Sequence, residues 1–83
     1  MKEYTVSEVA RMYLLNNYDV YNHIKLNRVE IAMIDGLHYG PPKTITAEAV
    51  LIIIKKLVDY LFYEKCVEHF KKTGDIIPLR HGI

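Results

Sequence analysis

The chain has 83 residues, half of them hydrophobic, with eleven basic side chains against ten acidic. At this length one domain is expected, burying about 60% of the surface its unfolded chain exposes, so a partner would add useful stability. Near-neutral charge excludes a bulk electrostatic case for nucleic acid, membrane or acidic substrates, and the apolar content excludes a disordered chain.

One cysteine, Cys66, excludes an internal disulfide and fits a reducing compartment. The first residues lack the basic-then-apolar layout of a signal peptide, and the most apolar run, Ala47 to Ile54, is too short to span a bilayer. The expectation is a single soluble, cytoplasmic domain over residues 1–83, with no membrane partner.

In chain order, Thr5 and Ser7 are both candidate helix caps, and Glu8 stands three residues after Thr5, as a capping box requires. Val6, Val9, Ala10 and Tyr13 follow as an apolar stripe at helical spacing. Asn16-Asn17 suits a turn and a second cap, opening a helix from Asn17 to Leu26 with Val20 and Ile24 inward. Val29 to Tyr39 reads as a β-hairpin, because Asp35-Gly36 is a strong two-residue turn signal and Gly40-Pro41-Pro42 ends the pairing. Ala32, Ile34, Leu37 and Tyr39 then share one apolar face, either core or a protein-binding surface.

Thr46 caps an expected long helix over 46–74, with Glu48 in its first turn, Lys71-Lys72 in its last and Gly74 as terminator. Its twenty-seven residues from Ala47 to Thr73 would span roughly 40 Å. That is longer than the roughly 25–30 Å expected of so small a globule. The helix is also apolar around most of its girth, so it needs cover from two sides. Val50, Ile53, Ile54, Leu57 and Leu61 form the stripe expected to serve as both core and homodimer seam. The tail, 75–83, is unusually apolar for a free end.

YTVSEVAR at Tyr4–Arg11 and VYNHIKLNR at Val20–Arg28, with nine residues between Ala10 and Val20, resemble the excisionase-type winged-helix family, relatives of the MerR-like DNA-binding domain. The resemblance covers Thr5 to about Thr46, half the chain. It implies a winged helix-turn-helix over 4–45, with the second helix in the major groove and the wing against the backbone or minor groove. It also implies service to a phage, plasmid or transposon as a regulator or recombination factor. The chain departs from the family at Leu14, where glycine is frequent, and at Met33, Leu37 and Tyr39, where basic residues are frequent. Between Met1 and Ile45 five basic residues (Lys2, Arg11, Lys25, Arg28, Lys43) meet five acidic ones (Glu3, Glu8, Asp19, Glu30, Asp35). Phosphate contacts dominate DNA affinity, so each monomer is expected to bind weakly and gain from pairing.

On that reading Asn17, Tyr18, Tyr21, Asn22 and Lys25 are the candidate contacts of the second helix. Asn matches adenine edges, Lys matches guanine or phosphate, and tyrosines bond phosphate or pack on sugars. Arg28 is a phosphate contact or an ion-pair partner of Glu30. His38 reaches toward a groove or is an exposed loop residue, and Lys43 adds a cation after the wing. The bland alternative is a solvated helix face of an ordinary small domain.

Cys66 and His69 lie one helical turn apart, but two ligands are too few for a metal, and His81 sits in the tail. No nucleophile–base set, carboxylate pair or glycine-rich phosphate loop is present, so neither enzyme, cofactor nor small-molecule substrate is expected. The fold class expected is mostly α with a small β-hairpin: a winged helix-turn-helix followed by a long C-terminal helix. The function expected is DNA binding as a homodimer. The alternative is a protein-interaction module that docks on a repressor, integrase or replication factor through the apolar wing and the long helix.

Overall fold

The computed structural model describes residues 3–36 and 43–76. In chain order they form β1 (Glu3–Tyr4), α1 (Val6–Met12), α2 (Asn17–Leu26), α3 (Arg28–Asp35), β2 (Ile45–Thr46), α4 (Ala47–Ile54) and α5 (Tyr60–Thr73). The protein is mostly helical with one small antiparallel sheet, the class its residue pattern suggests. The strands, however, are β1 and β2, paired Glu3 to Thr46 and Tyr4 to Ile45. They join the two ends of the N-terminal half and leave 29–36 outside the sheet.

The first two helices form as their caps dictate. Thr5 accepts from the Glu8 amide at 3.1 Å while the Glu8 carboxylate accepts from the Thr5 amide at 2.9 Å, a complete capping box. Asn16 accepts from the Asp19 amide at 2.7 Å and opens α2.

The hairpin expected over Val29–Tyr39 is corrected: Arg28–Asp35 is helix α3. Its β-branched residues are tolerated because Ile31 plugs the core. Asp35-Gly36 turns no hairpin. The Asp35 carboxylate accepts from the Thr46 hydroxyl at 2.7 Å and the Thr46 amide at 3.2 Å, tying the end of α3 to the start of α4. Gly36, at φ 88°, occupies backbone space that side chains disfavour and so stops the helix. The expected hairpin partners Leu37, His38 and Tyr39 lie outside the described residues.

The single long helix is corrected as well. It breaks after Ile54, and Asp59 caps α5 by accepting from the Phe62 amide at 2.9 Å. The molecule's longest extent is 35 Å, shorter than the roughly 40 Å an unbroken helix needs. Folding back lets one chain cover an element that is apolar on all sides. Among the eight residues of α4 only Glu48 is exposed. Val50, Ile53 and Ile54 are wholly buried, Leu57 is half-buried, and Leu61 is 74% exposed. Of the stripe expected to be both core and dimer seam, Val50, Ile53 and Ile54 are core of a single chain and offer no surface to a second copy, while Leu61 is open.

Around α4 the core gathers Val9 and Tyr13 from α1, Val20 and Ile24 from α2, Ile45 from β2, Cys66 from α5, and Ile76, the first apolar residue of the tail. Tyr13 and Phe62 meet edge-on, ring centroids 6.0 Å apart, linking α1 to α5. Asp75 accepts from the Tyr4 hydroxyl and, at 2.8 Å, from the Ile76 amide, clasping β1 to the residues after α5. Cys66 is buried and His69 half-buried, and no group of three metal-ligating side chains occurs among the described residues. No helix among them is long and apolar enough to cross a membrane.

Two measurements test this packing. Asp59→Ala removes the cap that starts α5 and is expected to cost about 1 kcal/mol in urea unfolding; unchanged stability would mean packing alone sets the break. Burial first, then donation to Asp75 and the charges of Asp75 and Glu8, push the Tyr4 hydroxyl above its ordinary range. Burial, followed by the influence of Cys66, Tyr4 and Asp75, does the same for Tyr13. A folded-state pKa above the unfolded value favours folding below pH ~10 and loses that advantage as pH rises further. Unfolding free energy should hold steady to pH ~9.5, then fall by up to about 1.4 kcal/mol per pH unit for each tyrosine. Tyr13→Phe should roughly halve that slope, and a flat profile to pH ~11.5 contradicts this packing.

Candidate nucleic-acid interface

The turn between α1 and α2 sets how α2 is presented, and its backbone bonding is specific. The Leu15 amide donates to the Ala10 carbonyl at 2.8 Å and the Leu14 amide to the Arg11 carbonyl at 3.5 Å. Leu14 itself is left-handed, at φ 58°. This is a Schellman closure, which ordinarily places glycine where Leu14 stands. The departure noted in the sequence thus changes the residue and keeps the turn. Leu14 points outward, 60% exposed, so its side chain contributes little packing in return for the strain.

Beyond the turn, α2 buries Val20 and Ile24 and turns the opposite side outward. At about 100° per residue, Asn17, Tyr21, Lys25, Tyr18 and Asn22 fall within an arc of about 140°. All five are exposed, Tyr18 at 76%. Lys25 is the one charged side chain on that arc, since Asp19 lies to one side of it. Of the other nearby carboxylates, Glu8 is held in the capping box, Asp35 on Thr46, and Glu3 accepts from the Thr44 hydroxyl at 2.6 Å, while Glu30 is exposed on α3. Even so, described residues 3–36 hold three basic side chains (Arg11, Lys25, Arg28) against five acidic (Glu3, Glu8, Asp19, Glu30, Asp35).

The arc is not uniform. The Asn17 side-chain amide donates to the Ser7 hydroxyl at 3.3 Å, bracing α2 against α1. An asparagine already committed to a neighbour is less free for the paired donor and acceptor contact that reads adenine. Asn22, opposite the core side and with no such tie, is the better base-reading candidate. Sequence reasoning missed the Ser7 contact because its partner lies ten residues away, beyond any local spacing rule.

The remaining expected contacts do not gather here in one place. Arg28 is exposed in the first turn of α3 and lines a shallow groove with Val29, Ala32 and Met33. Lys43 is exposed two residues before β2. His38 lies outside the described residues. Where the expected wing would begin, α3 presents Val29 at 74% and Met33 at 82% exposure, with Leu26 at 70% at the end of α2. Val29 and Met33, four residues apart, share one apolar face of α3, a signal visible in the sequence once the segment is read as helix.

No family model, curated protein or solved structure matches the chain. The resemblance to excisionase-type proteins therefore rests on the two quoted segments alone.

Replacing the strained leucine tests the turn. Leu14→Gly relieves roughly 1–2 kcal/mol of left-handed strain and costs roughly 0.5–1 kcal/mol of chain entropy. The expected net gain is about 0.5–1 kcal/mol, read as a raised thermal midpoint. A lowered midpoint would show that Leu14 stabilises the fold through its side chain.

Proposed function

We propose that this chain is a small cytoplasmic DNA-binding protein whose reading element is α2. Its role would be regulation of transcription, recombination or segregation in a phage, plasmid or other mobile element. The supporting observation is the outward arc of α2, which presents Tyr18, Tyr21, Asn22 and Lys25 free of opposing charge behind a rigid, well-capped turn. A polar helix face of this kind fits the major groove, where Asn22 matches an adenine edge and Lys25 a guanine or phosphate. With so few cations per chain, two copies acting together are needed for useful affinity. Because the α4 stripe is core, that pairing would have to use another surface.

The second reading is a protein-interaction module, and the exposed Val29 and Met33 on one face of α3, with Leu26 exposed at the end of α2, favour it. Neighbouring large apolar side chains mark a contact surface more often than isolated ones do. The two readings part on salt. Duplex binding weakens steeply as salt rises, whereas an apolar protein contact barely responds.

A mobility-shift titration against a pool of duplexes tests the first reading. Lys25→Ala should weaken binding to all sequences and reduce the salt slope by about one. Asn22→Ala should cost about 1–3 kcal/mol and relax preference at one base pair. Absence of any shift at low salt removes the DNA reading.

A further inference from the structure

A second concave feature lies away from the α2 arc. His23 of α2, Asn27 at the α2–α3 junction, Glu30 of α3, Lys55 and Lys56 after α4, and Tyr63 of α5 surround a polar cavity of ≈ 300 Å³. Half-buried Ile52 supplies an apolar wall. We propose that this cavity binds a small phosphorylated anion.

Charge is the first support. The lining carries two ammonium groups against one carboxylate, a net charge of +1 with the imidazole neutral. No ion pair among the described residues engages Lys55 or Lys56. Two lysines from one turn suit the many-oxygened phosphoryl group, which carries about −1.5 to −2 at neutral pH, while the acceptors across the cavity suit hydroxyl groups on the body that bears it.

Order is the second. His23 Nδ1 lies 3.0 Å from the Asp19 carbonyl. A carbonyl only accepts, so Nδ1 holds the proton in the neutral ring and Nε2 is left as an acceptor for a ligand hydroxyl. The Asn27 amide donates to the His23 carbonyl at 2.8 Å, which fixes that side chain and leaves its oxygen as an acceptor. Both groups are held before any ligand arrives, so binding need not order them.

Size is the third. The cavity stands at the lower end of the ~300–1,000 Å³ range of small-molecule sites. It exceeds what bare phosphate fills, leaving room for a small hydroxylated body against Ile52 and Tyr63, with Glu30 to accept from a hydroxyl. The site is also independent of the DNA reading. Around α2, His23 lies about 100° from Asn22 and about 160° from Lys25.

The test is an amide and side-chain NMR titration of the whole chain with inorganic phosphate, with ribose 5-phosphate, and with sodium chloride at matched ionic strength. Saturable shifts are expected at His23, Asn27, Lys55, Lys56 and Tyr63, with ribose 5-phosphate binding more tightly than phosphate. The double variant Lys55→Met/Lys56→Met should weaken binding about tenfold or more. Glu30→Gln, which removes a like charge, should tighten it. Shifts that chloride reproduces, or equal affinity in the double variant, overturn the proposal. A short duplex provides the remaining arm: if it moves the same resonances and displaces phosphate, the lysines serve a DNA backbone and the small-anion site is wrong. Failure of duplex binding at α2 leaves these outcomes unchanged.

Discussion

Everything in this fold answers to one requirement: α4 must be covered on all sides. From Ala47 to Ile54 the sequence offers a single charged residue, Glu48, and otherwise apolar side chains. Full burial of a valine or isoleucine is worth about 1.5–3 kcal/mol, so an arrangement leaving half of this girth in water would forfeit most of the stability available to so small a chain. The solution is to pack α2, α3 and α5 against α4, with Tyr13 at the end of α1 closing onto Phe62 of α5. Asp59 makes the fold-back possible by giving α5 its own start. The clasp of Tyr4 on Asp75 then joins β1 to the residues after α5 across the same core.

That requirement shapes the functional surface. Because α4 holds α2 by Val20 and Ile24, the remaining side of α2 must face outward. Capping bonds and the Schellman turn fix its direction. The cost is a leucine in left-handed backbone space. Using α4 as core also removes it as the place where two chains meet. On the proposed DNA reading, a helix with one lysine and one aspartate needs a partner surface elsewhere, and the exposed Leu26, Val29 and Met33 are the apolar side chains nearest to it in sequence.

Local chemistry was legible where one side chain acts on a backbone group a few residues away. Thr5, Glu8, Asn16, Thr46 and Gly74 all do what their type and position suggest, and the start of α2 follows from Asn16. Two elements were not legible in that way. Val29–Ile34 carries β-branched residues before Asp-Gly, which locally reads as strand and turn. The deciding contact, Asp35 on Thr46, spans eleven residues and is tertiary. The break before α5 was overlooked because the apolar pattern runs on through it, although Asp59 ahead of Tyr60 was an ordinary cap signal. For the candidate sites, the arc of α2 was readable from helical periodicity. The cavity at His23 was not, since it depends on a turn from the far half of the chain.

The central claim is that α4 is the interior of one chain and no seam between two. Hydrogen exchange followed over a hundredfold range of protein concentration tests it most directly. The amides of Val50 to Ile54 should be among the slowest to exchange, at rates that do not change with concentration. Protection of α4 that appears only as the protein is concentrated would contradict the account, because the helix would then owe its cover to a second copy.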